Sequence, residues 1–145
     1  RATKLFLFVL MTVAVILNTG CYSTADDKSK FTLVPGRTDF VERRYDKPVA
    51  EVMAAVRSAV GAMGTITGEE ATKNVITARI NTNYIWVKVT PDKQAPEAIS
   101  AVRFQVRTKS SWIVGGRQPD LQTASAIAEQ TTLALIAAAN PQPKN

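Results

Sequence analysis

The 145-residue sequence contains no histidine and a single cysteine, Cys21. Without an imidazole or a second thiol, the chain cannot build the usual transition-metal ligand sets, a Ser-His-Asp triad or a Cys-His pair from its own side chains. A lone cysteine also excludes an intramolecular disulfide. Acidic residues are in the minority, 12 against 18 lysines and arginines, for a net charge of +6. If Arg1 and Lys4 leave with an N-terminal signal, 16 basic side chains remain against 12 acidic ones, a bias too weak to imply nucleic acid. Aromatic residues make up 7% of a chain that is 46% hydrophobic and 21% charged, the composition of one globular domain rather than of a disordered or polytopic protein. Paired carboxylates in a working geometry are lacking too. Asp26-Asp27 and Glu69-Glu70 are sequence neighbours, which point apart on an extended chain. Ser110 and Ser111 have no nucleophile elbow, and Gly115-Gly116-Arg117 is too short for a phosphate loop. The chain is therefore read as non-enzymatic, with no metal site and no cofactor built from its own side chains.

What is present is organised around that cysteine. Arg1 and Lys4 precede an almost unbroken apolar run, Leu5 to Leu17, which is signal-peptide architecture. A 13-residue helix rises about 20 Å against a hydrocarbon core of about 30 Å, short for a spanning anchor. Thr19-Gly20-Cys21 resembles the lipobox of bacterial lipoproteins, in which cleavage after the residue equivalent to Gly20 leaves an acylated cysteine as the new N-terminus. Asn18 stands where that motif normally has leucine, with Leu17 one position earlier. Ordinary signal cleavage and an uncleaved anchor remain the alternatives. The resemblance implies a signal peptide over residues 1–20 and a lipid on Cys21. Tyr22 rather than aspartate after the cysteine implies the outer-membrane default, with the domain in the periplasm. Tyr22 to Lys30 is polar, has nothing periodic to bury, and reads as a tether.

Residues 31–140 are expected to form a single α+β domain, with a disordered tail over 141–145. Phe31 to Val34 is either a short strand or an apolar latch before the Pro35-Gly36 turn. Phe40 to Tyr45 alternates as a first strand without declaring its buried face. Asp46 and Pro48 open a helix whose apolar stripe is Val49, Val52, Met53, Val56, Val60 and Met63, with Gly64 as its C-cap. Thr65 to Thr67 begins a strand that enters a polar turn over Gly68 to Asn74. Val75 to Asn81 and Tyr84 to Thr90 read as a hairpin, and Ile99 to Lys109 as a long strand with Val102, Phe104 and Val106 inward. After the apolar, glycine-rich stretch Ser110 to Pro119, which is either an edge strand or a loop, Asp120 caps a helix from Leu121 to about Ala138. The expected architecture is an antiparallel sheet of four to five strands with two helices on one face, in the order β-α-β-β-β-β-α. Leu121, Leu133 and Ile136 fall off the second helix's main stripe, either covered by the Trp112 stretch or offered to a partner.

Tyr45-x-x-Pro48 opening an amphipathic helix, then glycine, antiparallel strands with a proline loop and a closing helix, resembles a family of small, functionally uncharacterised bacterial lipoproteins. Its layout is also similar to domains of the barrel-assembly lipoproteins. The family pattern supplies no catalytic residue. The outward face of the sheet gathers Arg79, Tyr84, Trp86, Lys88, Arg103, Gln105 and Arg107. In a cytosolic protein this mixture would suggest single-stranded nucleic acid, but export redirects it to an acidic protein surface or to anionic cell-wall or lipid material. The plainer alternative is that the cations solvate the face while the rings pack together. An envelope protein partner, contacting this face and the Trp112 stretch with the last helix, is the leading expectation. The oligomeric state is open.

Overall fold

The computed structural model describes residues 3, 20–23, 29–32, 38–108 and 119–141. The chain divides into two compact units, Arg1–Thr38 and Asp39–Asn145. In the first, β1 (Gly20–Ser23) pairs antiparallel with β2 (Ser29–Thr32), setting Cys21 opposite Phe31 and Tyr22 opposite Lys30. Both ends of the stretch read as a tether are thus in a backbone ladder, which needs no apolar periodicity because main-chain groups supply its hydrogen bonds. The apolar run Leu5 to Leu17 lies outside the described residues. No helix among the described residues is long and apolar enough to cross a membrane.

The second unit has the α+β layout expected from the sequence. Its elements are β3 (Val41–Tyr45), α1 (Val49–Met63), β4 (Thr65–Glu70), a 3-10 turn (Ala71–Lys73), β5 (Val75–Ile80), β6 (Asn83–Pro91), β7 (Ser100–Arg107) and α2 (Leu121–Ala139). The five strands form one open antiparallel sheet in the order β3-β7-β6-β5-β4. The strands joined by α1 therefore lie at opposite edges, so that helix has to cross the whole sheet. Register aligns Ile76 with Val87 and Phe104, and Ala78 with Ile85 and Val106. These residues meet Val52, Val56 and Val60 of α1 and Ala124, Ile127 and Leu135 of α2 in one core. Period two on the strands and period 3.6 on the helices thus converge on a single apolar layer. The face undecided for β3 is resolved by Val41 and Tyr45, which pack against this core.

Local chemistry explains most of the boundaries. Asp120 accepts hydrogen bonds from the Thr123 backbone N–H (3.0 Å) and hydroxyl (2.7 Å), capping α2 as expected. Pro48 occupies the N-cap of α1 rather than its first turn, and its carbonyl accepts from Glu51 and Val52 N–H. Gly64 ends α1 in extended backbone, not the left-handed form common at helix ends. A Cβ there would lie 2.2 Å from the Arg79 carbonyl oxygen and 2.7 Å from Ile80 Cγ1, so close approach is what requires glycine. The polar turn expected from Gly68 onward begins three residues later. β4 runs to Glu70 through a register shift between Ile66 and Gly68, a bulge that absorbs the break in alternation. Asn74 and Asn81 turn the chain with left-handed φ of 53° each.

Candidate functional site: the outer face of the sheet

Opposite the helices, register places the sequence-predicted residues in three cross-strand rows. Arg79 lies beside Tyr84 and Tyr84 beside Arg107. Thr77, Trp86 and Gln105 form the next row, and Lys88 with Arg103 the third, which β3 extends with Glu42. All seven residues named for this face therefore share it. Trp112 lies outside the described residues, as do residues 109–118 as a whole. Cys21 and Gly20 are in β1, within the other unit.

The arginines on this face differ in their surroundings. Arg107 Nη2 donates to Asp39 Oδ2 at 3.0 Å, and Gln105 Nε2 donates to the same oxygen at 2.7 Å. Asp39 and Gln105 are 4% and 6% exposed, so this charge-assisted pair is shielded from water and stronger than a surface contact. Asp39 Oδ1 is buried and finds no partner among the described residues. Arg103 donates through Nε to Glu42 at 2.9 Å, and its guanidinium lies 5.1 Å from the Phe40 ring centroid. Arg79 is exposed and stacks 4.7 Å over the Tyr84 ring, with no carboxylate partner among the described residues. Between these groups is an open depression of about 230 Å³ whose lining includes Thr67, Thr77, Tyr84, Trp86, Gln105 and Arg107.

Asp39 and Glu42 are the site residues that the residue pattern did not single out. They neutralise two of the arginines that made the face look basic. Asp39 precedes β3 at a bend, where no periodicity applies, and only the pairing of β3 with β7 brings it to Arg107. Glu42 had a usable signal, since it alternates with Phe40 and Arg44 and so shares a face with them.

Among the described residues, no group of three or more Asp, Glu, His or Cys side chains is placed to hold a metal ion. Another shallow feature among the described residues is an apolar groove of about 330 Å³ between the helices, lined by Ala54, Ala55, Ser58, Ala134, Leu135 and Ala138 among others. The same helix α2 exposes Leu133 (56%) and Ile136 (54%), outside the groove lining, with Leu121 (41%) at the helix start. No protein-family model matches the chain, and no curated protein matches it either.

Proposed function

We propose that this chain is a lipid-anchored, non-enzymatic envelope protein of the small bacterial lipoprotein type, whose α+β domain binds a protein partner in the periplasm. The observation that carries the anchor is Cys21, the single cysteine, following Gly20 at the end of an apolar run. Tyr22 in the next position favours the outer membrane over inner-membrane retention. The exposed Leu133 and Ile136 on α2 support a binding role for the domain, because large side chains left in water on a helix that also lines an apolar groove favour a protein contact. Replacing Cys21 with serine in the full chain moves the protein from the detergent-extracted membrane fraction to the soluble fraction. A Cys21→Ser protein that still needs detergent for extraction overturns the anchor.

A second reading, a binding module for anionic envelope material, draws on the outer sheet face. Arg103 and Arg107 are engaged by Glu42 and Asp39, so this reading leans on Arg79, which is exposed above Tyr84. Its signature is binding to acidic polymer that weakens with salt and with Arg79→Ala.

A further inference from the structure

The geometry points to the outer-face depression as a binding site for a saccharide ring that carries a carboxylate, an inference that rests on the second reading above. Three features of the depression define this ligand. The first is shape. About 230 Å³ is smaller than a drug-sized pocket of roughly 300–1,000 Å³ and suits one ring. Its floor is formed largely by strands β5, β6 and β7, each of which has a strand paired on either side. Those strands have no free edge, so an extended peptide cannot add to the sheet there.

The second feature is the mixture of surfaces. Trp86 is half-buried and presents aromatic surface, which attracts the weakly positive C–H groups on one side of a sugar ring, while Tyr84 beside it carries the Arg79 guanidinium on its ring. Thr67 and Thr77 supply hydroxyls and Gln105 an amide, and such groups both donate to and accept from ring hydroxyls. Thr67 donates to Thr77, Thr77 to the Gly68 carbonyl and Gln105 to Asp39, so these groups meet a ligand through their remaining hydrogen-bonding positions; an aliphatic ligand would not use those, and a plain phosphate would not use the aromatic surface.

The third feature is the arrangement of cations. Arg79 stacks on Tyr84, which lines the depression, with the flat face of its guanidinium against the tyrosine ring and its forked N–H edge in position to meet a carboxylate. Arg107 and Gln105 are held by one buried carboxylate oxygen of Asp39. Asp39 is thus a positioning residue that fixes two lining side chains before a ligand arrives, which lowers the ordering cost of binding.

Isothermal titration of the full chain in detergent, with trigalacturonate as the acidic probe and maltotriose as the neutral one, tests the assignment. Saturable binding of trigalacturonate is expected, with little or none of maltotriose. Arg79→Ala and Trp86→Leu each weaken it by about tenfold or more, the effect of losing one good contact. Gln130→Ala, an exposed position on the far helix, leaves it unchanged. Unaltered circular dichroism and Tm establish that the variants fold. Binding unaffected by either Arg79→Ala or Trp86→Leu in folded protein overturns the site. If polyphosphate or phosphatidylglycerol vesicles bind in an Arg79-dependent, salt-sensitive way and trigalacturonate does not, the saccharide assignment falls while the anionic reading stands. Absence of binding to all three acidic probes overturns both.

Discussion

At Gly64 the chain has room for a hydrogen atom and nothing larger. The Arg79 carbonyl that a Cβ would strike belongs to the β5 backbone and cannot move without disturbing its pairing with β4 and β6. Gly64→Ala is therefore expected to destabilise the fold by about 1–3 kcal/mol, the usual cost of overpacking, measured as a lower urea midpoint with an unchanged m-value. Asp120 shows a different dependence on a single group. Hydrogen bonds from the Thr123 backbone and hydroxyl, aided by Asn83, hold its carboxyl below the ordinary aspartate range and outweigh the opposing effect of burial. A carboxyl depressed in the folded state contributes stability above its unfolded pKa and loses it as pH falls through the folded value. The Asp120 contribution is thus complete at neutral pH and disappears below the ordinary aspartate range. Asp120→Asn, which keeps a capping acceptor, should retain most of the neutral-pH Tm and flatten its decline as pH falls through and below the ordinary aspartate range. Asp120→Ala should cost about 0.5–2 kcal/mol at neutral pH.

At the scale of elements, β3 and α2 are tied by Tyr45, whose hydroxyl donates to the Ala128 carbonyl at 3.1 Å. Burial pushes the Tyr45 pKa up, and the Thr132 hydrogen bond and Arg43 offset part of that rise. A phenol whose pKa is raised by folding stabilises the fold while protonated and loses that contribution as pH climbs through and beyond its ordinary range. Tyr45→Phe is expected to cost about 0.5–1.5 kcal/mol at pH 7, the worth of one hydrogen bond, and to remove part of the alkaline decline seen in a pH series of Tm. The hairpin of β5 and β6 was legible from alternation and from Asn81-Thr82-Asn83. The bulge in β4 was not, because a one-residue shift leaves no mark on composition and reads as the end of a strand. The α2 stripe was legible too. Its off-stripe Leu121, Leu133 and Ile136 were visible as a surplus, and the structure leaves them exposed.

For the whole molecule, the core layer between helices and sheet should dominate stability. Phe104 is fully buried at the crossing of β3, β7 and β6. Phe104→Ala should cost about 3–5 kcal/mol, read from chemical denaturation. In contrast, Leu133→Ser with Ile136→Ser should leave stability within about 0.5 kcal/mol, as for other exposed positions. If α2 is the partner-binding face, the same double variant reduces co-purification of the envelope partner. An intact interaction would move the contact elsewhere on the domain. If Cys21 anchors the chain as proposed, membrane attachment should be indifferent to all of these changes.

The α+β class, the element order, the inward residues of the sheet and the capping role of Asp120 were determined by the sequence alone. Each follows from local periodicity or from a short-range hydrogen bond. The sharing of one face by Arg79, Trp86 and Arg103 also followed, because strand alternation is local. Only the tertiary structure decided the electrostatics of that face. Asp39 lies 66 and 68 residues from Gln105 and Arg107 along the chain, and Glu42 lies 61 from Arg103. Pairing at such separations is set by which strands become neighbours, through burial of a shared core, and no local pattern encodes it. The face that reads as a basic patch in one dimension is in three dimensions a partly neutralised surface, with Arg79 stacked on Tyr84 and two lining side chains held by a buried carboxylate.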